Sequence, residues 1–539
     1  MQETGSLGAK KGESMNITDI PKKWDMIVVG GGITGAGIFR EAVSIGLKVL
    51  LLEQKDYTWG TSSRSTKLVH GGLRYLREGH LLVTKAAVEE RERMLREAPG
   101  LVEPVEFLLP VYKGEGPRKW QLDVGLLLYD LMAKEKQHRF VGREEFIKLS
   151  PYIKKDGLVG GFCFFDAQVD DCRLVLRLIN ETIEDGGVAV NYVKVSEVLR
   201  NKKGGVVGVV AEDPETRESR TLHAKLVINA TGAWGETLQP SPDPKRHLRP
   251  LRGSHLVFPT SVLPLQHAIA FIHPADERGF FAIPWEGAVL VGTTDLDHRE
   301  DLSKEPAVAQ EEVDYIMAGV HHYFPTVKAS AKDCVATFAG IRPVLSEGKL
   351  SPSKESRDYV VWKKNGLVTV TGGKLTTFRR MAWETLKTAS IFLPKTKEVK
   401  KKEPVFRPLP ELPKEHYGLS PETWRRLYGR YGDSAIALVK EAGPEDLECV
   451  PGTHTLWAEI PYVARREQVR HLSDLLLRRV RIGILCPQGG IEHIQRIRKL
   501  CKTALGWSDL RWEDEINMYN GMWRSAYWLP SDEACEEKK

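Results

Sequence analysis

The sequence has no C-x-x-C pair and no Cys/His spacing of the kind that holds zinc, so no metal site is expected. Its seven cysteines are odd in number and scattered, at 163, 172, 334, 449, 486, 501 and 535. That pattern fits a reducing cytosolic compartment better than a disulfide framework. No apolar run reaches the roughly 18 residues of a membrane span. The nearest, "VGLLLYDLMA", is short and contains Asp130, so any membrane contact must be peripheral. Residues 1–23 are polar and lack the apolar stretch of a secretory signal; they read as a loose extension, with Met15 an alternative start. The net charge of +6 is mild for 539 residues and argues against a nucleic-acid binder, although local clusters could meet an anionic surface. No internal repeat is visible. The length calls for two or three domains.

What is present begins at "VVGGGITGAGIFREAVSIGLKVLLLEQ", residues 28–54. It reads as strand, glycine turn, helix, strand. Gly30, Gly32 and Gly35 fit G-x-G-x-x-G: a tight turn, close approach to a pyrophosphate, and close helix–strand packing. The helix N-terminus directs free N–H groups at phosphate. Gly46 ends the helix, and Glu53 closes the second strand where a ribose hydroxyl is gripped. The pattern indicates an ADP-containing dinucleotide. Glu53 would repel a ribose 2′-phosphate, which disfavours NADP.

Further along, "TKAAVEERERMLREAP" reads as an amphipathic helix, followed by a helix near 122–132. "DDCRLVLRLINETIEDGG" is a capped helix stopped by glycines. From 251 to 294 the pattern alternates and aromatics are frequent, which predicts an antiparallel sheet. A Lys- and Pro-rich linker spans 393–414, and the remainder to about Trp528 is helical in pattern.

A simple NAD dehydrogenase would continue with βα units after Glu53. Instead an irregular small-residue loop follows, "GTSSRSTKLVHGGLRYL". Two more glycine-bearing strand ends lie far away, at Ala230, Thr231, Gly232 and at Gly372, Gly373, Lys374. Sites scattered over about 350 residues suit a long, buried FAD better than a shuttling NAD. With "VDDCRLVL", "NATGAW", "RGSHLVFP", "IPWEGAVLVGTTD", "AGIRPV", "TGGKLTTFRRMA" and "RRVRIGI" in order, the chain resembles the FAD-dependent glycerol-3-phosphate dehydrogenases of the aerobic, membrane-associated type. The resemblance runs from about 25 to 380 and more weakly beyond. Ala233 stands where that family often has proline.

The resemblance implies FAD held by Gly30, Gly32, Gly35 and Glu53. Thr61, Ser62, Ser63, Ser65, Lys67, Leu68, His70, Gly71 and Gly72 would surround the pyrophosphate and ring. Val195 would meet the adenine. Ala230, Thr231, Gly232, Gly340, Gly373, Lys374, Leu375 and Thr376 would complete the site. It implies oxidation of sn-glycerol 3-phosphate to dihydroxyacetone phosphate by hydride transfer from C2 to flavin N5, with electrons passed to a quinone. It further implies a cytoplasmic protein held peripherally at the inner face of the cell membrane; a homo-oligomer is compatible with the sequence.

Such chemistry needs cations for the phosphate and a proton acceptor near the hydroxyl. Arg342, between a glycine turn and a proline, could clamp substrate oxygens. Lys374 could bind substrate, or hold charge on the reduced flavin or the FAD pyrophosphate. His255, on a strand, is the candidate base. Arg64, Arg357 and Arg252 are further phosphate-ligand candidates, and His70 reads as shaping the flavin loop. The stripe Val469, Leu472, Leu476 and Val480 among arginines reads first as packing within the C-terminal helices.

The expected organisation is α/β. A discontinuous doubly wound, Rossmann-like FAD domain takes 24–104, 166–250 and 336–392. A substrate domain with an antiparallel sheet takes 105–165 and 251–335. A helical domain covers 405–529. The alternatives are an oxidase using O2, a flavin amine or amino-acid oxidase, and a nucleotide-binding regulatory protein.

Overall fold

Strand Met26–Val29 is apolar and buried throughout, and it becomes the centre of a six-stranded sheet. In order, the strands are Tyr359–Lys364, Leu367–Gly372, Val227–Asn229, Met26–Val29, Val49–Leu52 and Val188–Val190. All neighbours are parallel except the first pair, an antiparallel hairpin. The central strands Met26–Val29 and Val49–Leu52 are short and continuously apolar, as a sheet covered on both faces requires. The computed structural model describes residues 15–72, 81–239, 247–346 and 358–530.

One face of this sheet carries helices Ile33–Ser44, Asp171–Glu184 and Phe378–Ala389, packed through Ile38, Phe39, Leu174, Leu178, Phe378 and Met381. Gly46, at φ +90°, ends the first helix as expected. Asp170 caps the second by accepting a hydrogen bond from the Arg173 N–H. The other face is covered by the antiparallel meander Lys194–Arg200, Val206–Glu212 and Ser219–His223. Residues 15–23 join this layer rather than hanging loose: Ile17 and Ile20, three apart on one face of a short helical turn, are buried in its core. Two apolar residues at helical spacing were enough to anchor an otherwise polar stretch.

A ten-stranded sheet lies beside the first. The predicted antiparallel stretch forms Leu248–Pro259, Ala268–Ile272, Gly279–Trp285 and Ala288–Gly292. Strands Val102–Tyr112 and Leu158–Val169 extend it. Strand Ala336–Leu345, expected with the flavin-binding segments, pairs instead along its length with Leu248–Pro259, with Leu251 opposite Arg342 and Gly253 opposite Gly340. A strand's composition does not name its partner; here the partner is about ninety residues away, and register comes from long-range packing.

The C-terminal helices, from Pro421–Tyr431 to Asp509–Ala526, enclose a core of their own around Trp424, Leu427, Leu476 and Trp512. Leu472, Leu476 and Val480 are buried in it, with Val469 packed at its edge. Arg478, Arg479 and Arg481 are buried with it. Arg478 and Arg479 both reach Asp56, at 2.5 and 2.6 Å. Among the described residues no helix is long and apolar enough to cross a membrane.

Candidate active site

The glycine turn after Met26–Val29 is forced by contact. A β-carbon at Gly35 would collide with the Gly30 carbonyl, so the helix can approach the strand only because residue 35 has no side chain. Glu53 then turns back on the turn, accepting from the N–H of Gly31 at 2.6 Å and of Lys55 at 2.9 Å. Burial pushes its carboxyl above the usual range, and those two N–H groups only partly offset the effect.

This turn opens into a cavity of about 1120 Å³ that runs between the two sheets. Drug-sized ligands usually occupy roughly 300–1,000 Å³, so the cavity suits something larger. Its wall includes Gly30, Gly32, Glu53, Thr61, Ser62, Arg64, Ser65, Leu68, His70, Gly72, Val195, Ala230, Thr231, Gly232, Gly340, Arg342, Gly373, Lys374, Leu375 and Thr376. Residues from 30 to 376 of the chain therefore converge on one space, which is what wrapping a long dinucleotide requires. FAD fits the donor set: backbone N–H groups at the helix start, a buried acid at the ribose position, and glycine turns along the far wall.

Other expected residues stand behind the wall. Ser63, Lys67 and Gly71 do not line it. Lys67 is buried, its ammonium donating to the Ser63 carbonyl at 2.7 Å and to Asp171 at 2.8 Å. Burial and the nearby Arg481 bring Lys67 down to about 8, against the opposing pull of Asp171. The Gly71 N–H donates to the Tyr129 hydroxyl at 2.8 Å.

Arg342 enters the cavity from strand Ala336–Leu345. Its guanidinium donates to the Thr294 carbonyl at 3.1 Å, Asp295 Oδ1 at 3.0 Å and the Thr293 hydroxyl at 3.0 Å. Arg278, which the sequence reading missed, donates to the carbonyls of Asp295 and Thr293 from the same side, at 3.2 and 3.3 Å. Lys374 follows strand Leu367–Gly372 and borders the same space. Thr293, Thr294 and Asp295 were also missed as site residues, although "GTTD" had been noted as a motif.

The other cations are placed differently. Arg64 lines the cavity, but its guanidinium already bonds Glu305, the Trp59 carbonyl and the Tyr527 hydroxyl. Arg252 is ion-paired with Glu312 at 2.9 Å and lies outside the wall. Arg357 falls outside the described residues.

His255 is also behind the wall. Its ring stacks on Phe338 at 4.7 Å, and Nε2 lies 3.0 Å from the hydroxyl of Thr66, a residue that lines the cavity. Burial, then the charges of Arg342 and Lys67, hold the imidazole neutral, well below its ordinary pKa.

The cluster of two carboxylates and a thiol, Asp170, Asp171 and Cys172, has its charge met by side-chain cations: Lys67 and Arg481 on Asp171, Arg430 on Asp170.

A dinucleotide cradle opening under an antiparallel sheet that supplies cations defines a flavin oxidoreductase. Residues 25–379 match the family described as FAD dependent oxidoreductase, and residues 407–512 match the C-terminal domain of alpha-glycerophosphate oxidase. The aerobic glycerol-3-phosphate dehydrogenase of Bacillus subtilis is 40% identical over 373 residues, 68% of this chain and 67% of that protein. That of Staphylococcus haemolyticus is 34% identical over 486 residues, covering 85% and 86%. Among solved structures, the glycerol-3-phosphate dehydrogenase from Bacillus halodurans complexed with FAD superposes with a TM-score of 0.71 at 27% identity, covering 93% of this chain and 95% of that one. The L-alpha-glycerophosphate oxidase of Mycoplasma pneumoniae, with FAD bound, shares the fold at 19% identity and a TM-score of 0.57; all of it aligns, with 72% of this chain. The chain belongs to the FAD-dependent oxidoreductases and, within them, to the family of the aerobic glycerol-3-phosphate dehydrogenases.

Proposed function

We propose that the chain oxidises sn-glycerol 3-phosphate to dihydroxyacetone phosphate and passes the electrons to a membrane quinone. The observation that carries the reading is the convergence of Arg342 and Lys374 on the cavity that the glycine turns line. Two cations bordering one cavity favour a small dianion. The names of the relatives support the same substrate.

Bound FAD supplies the hydride acceptor. The chain's own residues do the rest. Arg342 and Lys374 hold the phosphate and the oxygen at C2, stabilising negative charge as the hydroxyl proton leaves. Asp295 and Thr293 fix the Arg342 fork, so that little reorganisation is needed at reaction. Thr66 presents its hydroxyl to the cavity and hands the substrate proton to His255 Nε2 behind it. A neutral imidazole can accept that proton as the hydride leaves, and the cations beside it drive it back through Thr66 to the cavity once product is released.

The quinone reading is supported by helix Lys119–Ala133. Trp120, Val124, Leu127, Leu128 and Leu131 form an exposed apolar stripe at helical spacing, Leu131 being 66% exposed. Leu122, Val124, Gly125 and Leu128 of the same helix border the cavity. One helix thus touches both the flavin space and the outside, as a peripheral contact with the inner face of the membrane would require.

An anaerobic spectrum tests the substrate: addition of glycerol 3-phosphate should bleach the flavin band, and an unchanged band would sink the reading. For the acceptor, Leu131→Glu should reduce quinone turnover several-fold while leaving dye reduction intact. Stoichiometric peroxide in air would instead favour an oxidase.

A further inference from the structure

The loop of residues 61–67 forms one wall of the cavity, and almost every residue in it is held by a different part of the chain. The Thr61 hydroxyl donates to the Ile341 carbonyl. Ser62 accepts from the Ile33 N–H at 2.9 Å, at the start of the dinucleotide helix. The N–H and hydroxyl of Ser65 donate to Asp171 at 3.0 and 2.7 Å. Thr66 meets His255. Residues 63 and 64 are held locally, by the Lys67 ammonium on the Ser63 carbonyl and by Glu305 and the Trp59 carbonyl on Arg64, and two further anchors come from beyond residue 379, where the oxidoreductase match ends. Arg481 donates to the Ser63 carbonyl at 2.9 Å, and the Tyr527 hydroxyl accepts from Arg64 Nε and Nη2 at 3.2 and 3.0 Å.

We propose that the C-terminal helical domain is a positioning element of the flavin site: Tyr527 orients Arg64 and Arg481 fixes the Ser63 carbonyl, so that this domain sets the shape of the wall against which the flavin lies. The proposal rests on the flavin reading of the cavity.

Three observations carry it. Arg481 is a non-glycine residue at φ +61°, a costly left-handed conformation that persists where surroundings over-determine it. Here the surroundings are the buried guanidinium's bonds to Ser63, the Leu477 carbonyl, Cys172 Sγ and Asp171. Burial pushes the Cys172 thiol up to about 11, so the sulfur is a neutral acceptor and Arg481's charge is met by Asp171. Second, Tyr527 is itself fixed, its backbone carbonyl accepting from the Thr337 N–H at 2.8 Å, three residues before Gly340 of the cavity wall. Third, attachment of the domain does not depend on these two contacts. Arg478 and Arg479 on Asp56, Arg173 on Glu467 and Arg430 on Glu286 already hold it. The contacts at residues 63 and 64 are therefore surplus to docking and fall on the cavity loop.

The test is Tyr527→Phe in the full-length holoenzyme, which removes one hydroxyl and keeps the ring. FAD content and the thermal midpoint should match the parent. The flavin midpoint potential, from a dithionite titration without substrate, should shift, and kcat with glycerol 3-phosphate should fall about tenfold with KM changed less; one hydrogen bond to a charged group is worth that factor. Arg481→Lys should change the same readouts more strongly, because an ammonium cannot span Ser63 and Cys172 together. If Tyr527→Phe is folded and flavin-loaded, with spectrum, potential and kcat all within twofold or experimental error of the parent, the proposal is overturned and the contact only fastens the domain. A shifted potential in an enzyme that glycerol 3-phosphate does not reduce would uphold the positioning role and sink the substrate reading instead.

Discussion

The guanidinium of Arg342 lies across Gly253 on the neighbouring strand: a β-carbon at Gly253 would sit 2.5 Å from Arg342 Cζ. The glycine is needed for its missing side chain, since its backbone is ordinary strand. Gly253→Ala must therefore push Arg342 off Thr293 and Asp295. Displacing a substrate-holding group by about 1 Å costs on the order of a hundredfold in rate. We expect kcat/KM to fall by about that factor with FAD still bound, read by steady-state kinetics beside the flavin absorbance. Parent-like kinetics would show that Arg342 is not held as described.

His255 carries a pH signature. Unfolded, it titrates near 6.5; folded, it stays neutral far below that. Its folded pKa is depressed, so the unfolded chain binds the extra proton on acidification. The contribution to stability is complete above pH 6.5 and is lost as pH falls below it. His255→Gln should flatten the fall in the thermal midpoint between pH 6.5 and 5. Thr66→Val should leave that fall intact and lower kcat by at least tenfold, because it cuts the path from cavity to imidazole without touching the buried ring's charge. Equal effects of the two variants on stability would argue against this division of roles.

Glu53 binds backbone on one side and faces the cavity on the other. Glu53→Ala removes the ribose acceptor and releases the Gly31 N–H. Each hydrogen bond to a charged group contributes roughly 1.5–3 kcal/mol, so FAD should bind about ten- to a hundredfold more weakly, and Glu53→Gln should lose less. Fluorescence titration of apoprotein with FAD measures both.

Local chemistry was readable from the sequence, and distant pairing was not. Met26–Val29, Val49–Leu52 and the helix between them follow from apolar runs and glycines within thirty residues. The glycines at 232 and 373, which line the cavity, were legible as turns because turns at strand ends have a local signature. The partner of strand Ala336–Leu345 was not, because its register is fixed by side chains about ninety residues away. Arg278 carries no motif of its own; only the fold brings it to the segment that Arg342 grips. The apolar stripe near 480 reads from the sequence as packing, but nothing local shows what its arginines pair with: their target, Asp56, lies over four hundred residues upstream.

That target makes the last prediction. Burial alone would raise the Asp56 carboxyl, but Arg479 and Arg478 outweigh it and hold it at about 2. An Asp with a depressed folded pKa adds stability that is present above about 3.9 and is lost as pH falls through 2, here about 2–3 kcal/mol. The loss falls on the joint between the helical domain and the flavin-binding sheet, since Arg478 and Arg479 belong to one and Asp56 to the other. Asp56→Asn leaves two buried guanidiniums without their shared carboxylate, a change that costs about 3–5 kcal/mol. At pH 7 its calorimetric trace should therefore separate into two transitions where the parent shows one, and the parent should approach the same shape as pH is lowered toward 3. A single transition in the variant, at the parent's temperature, would mean that the arginine pair does not hold the joint.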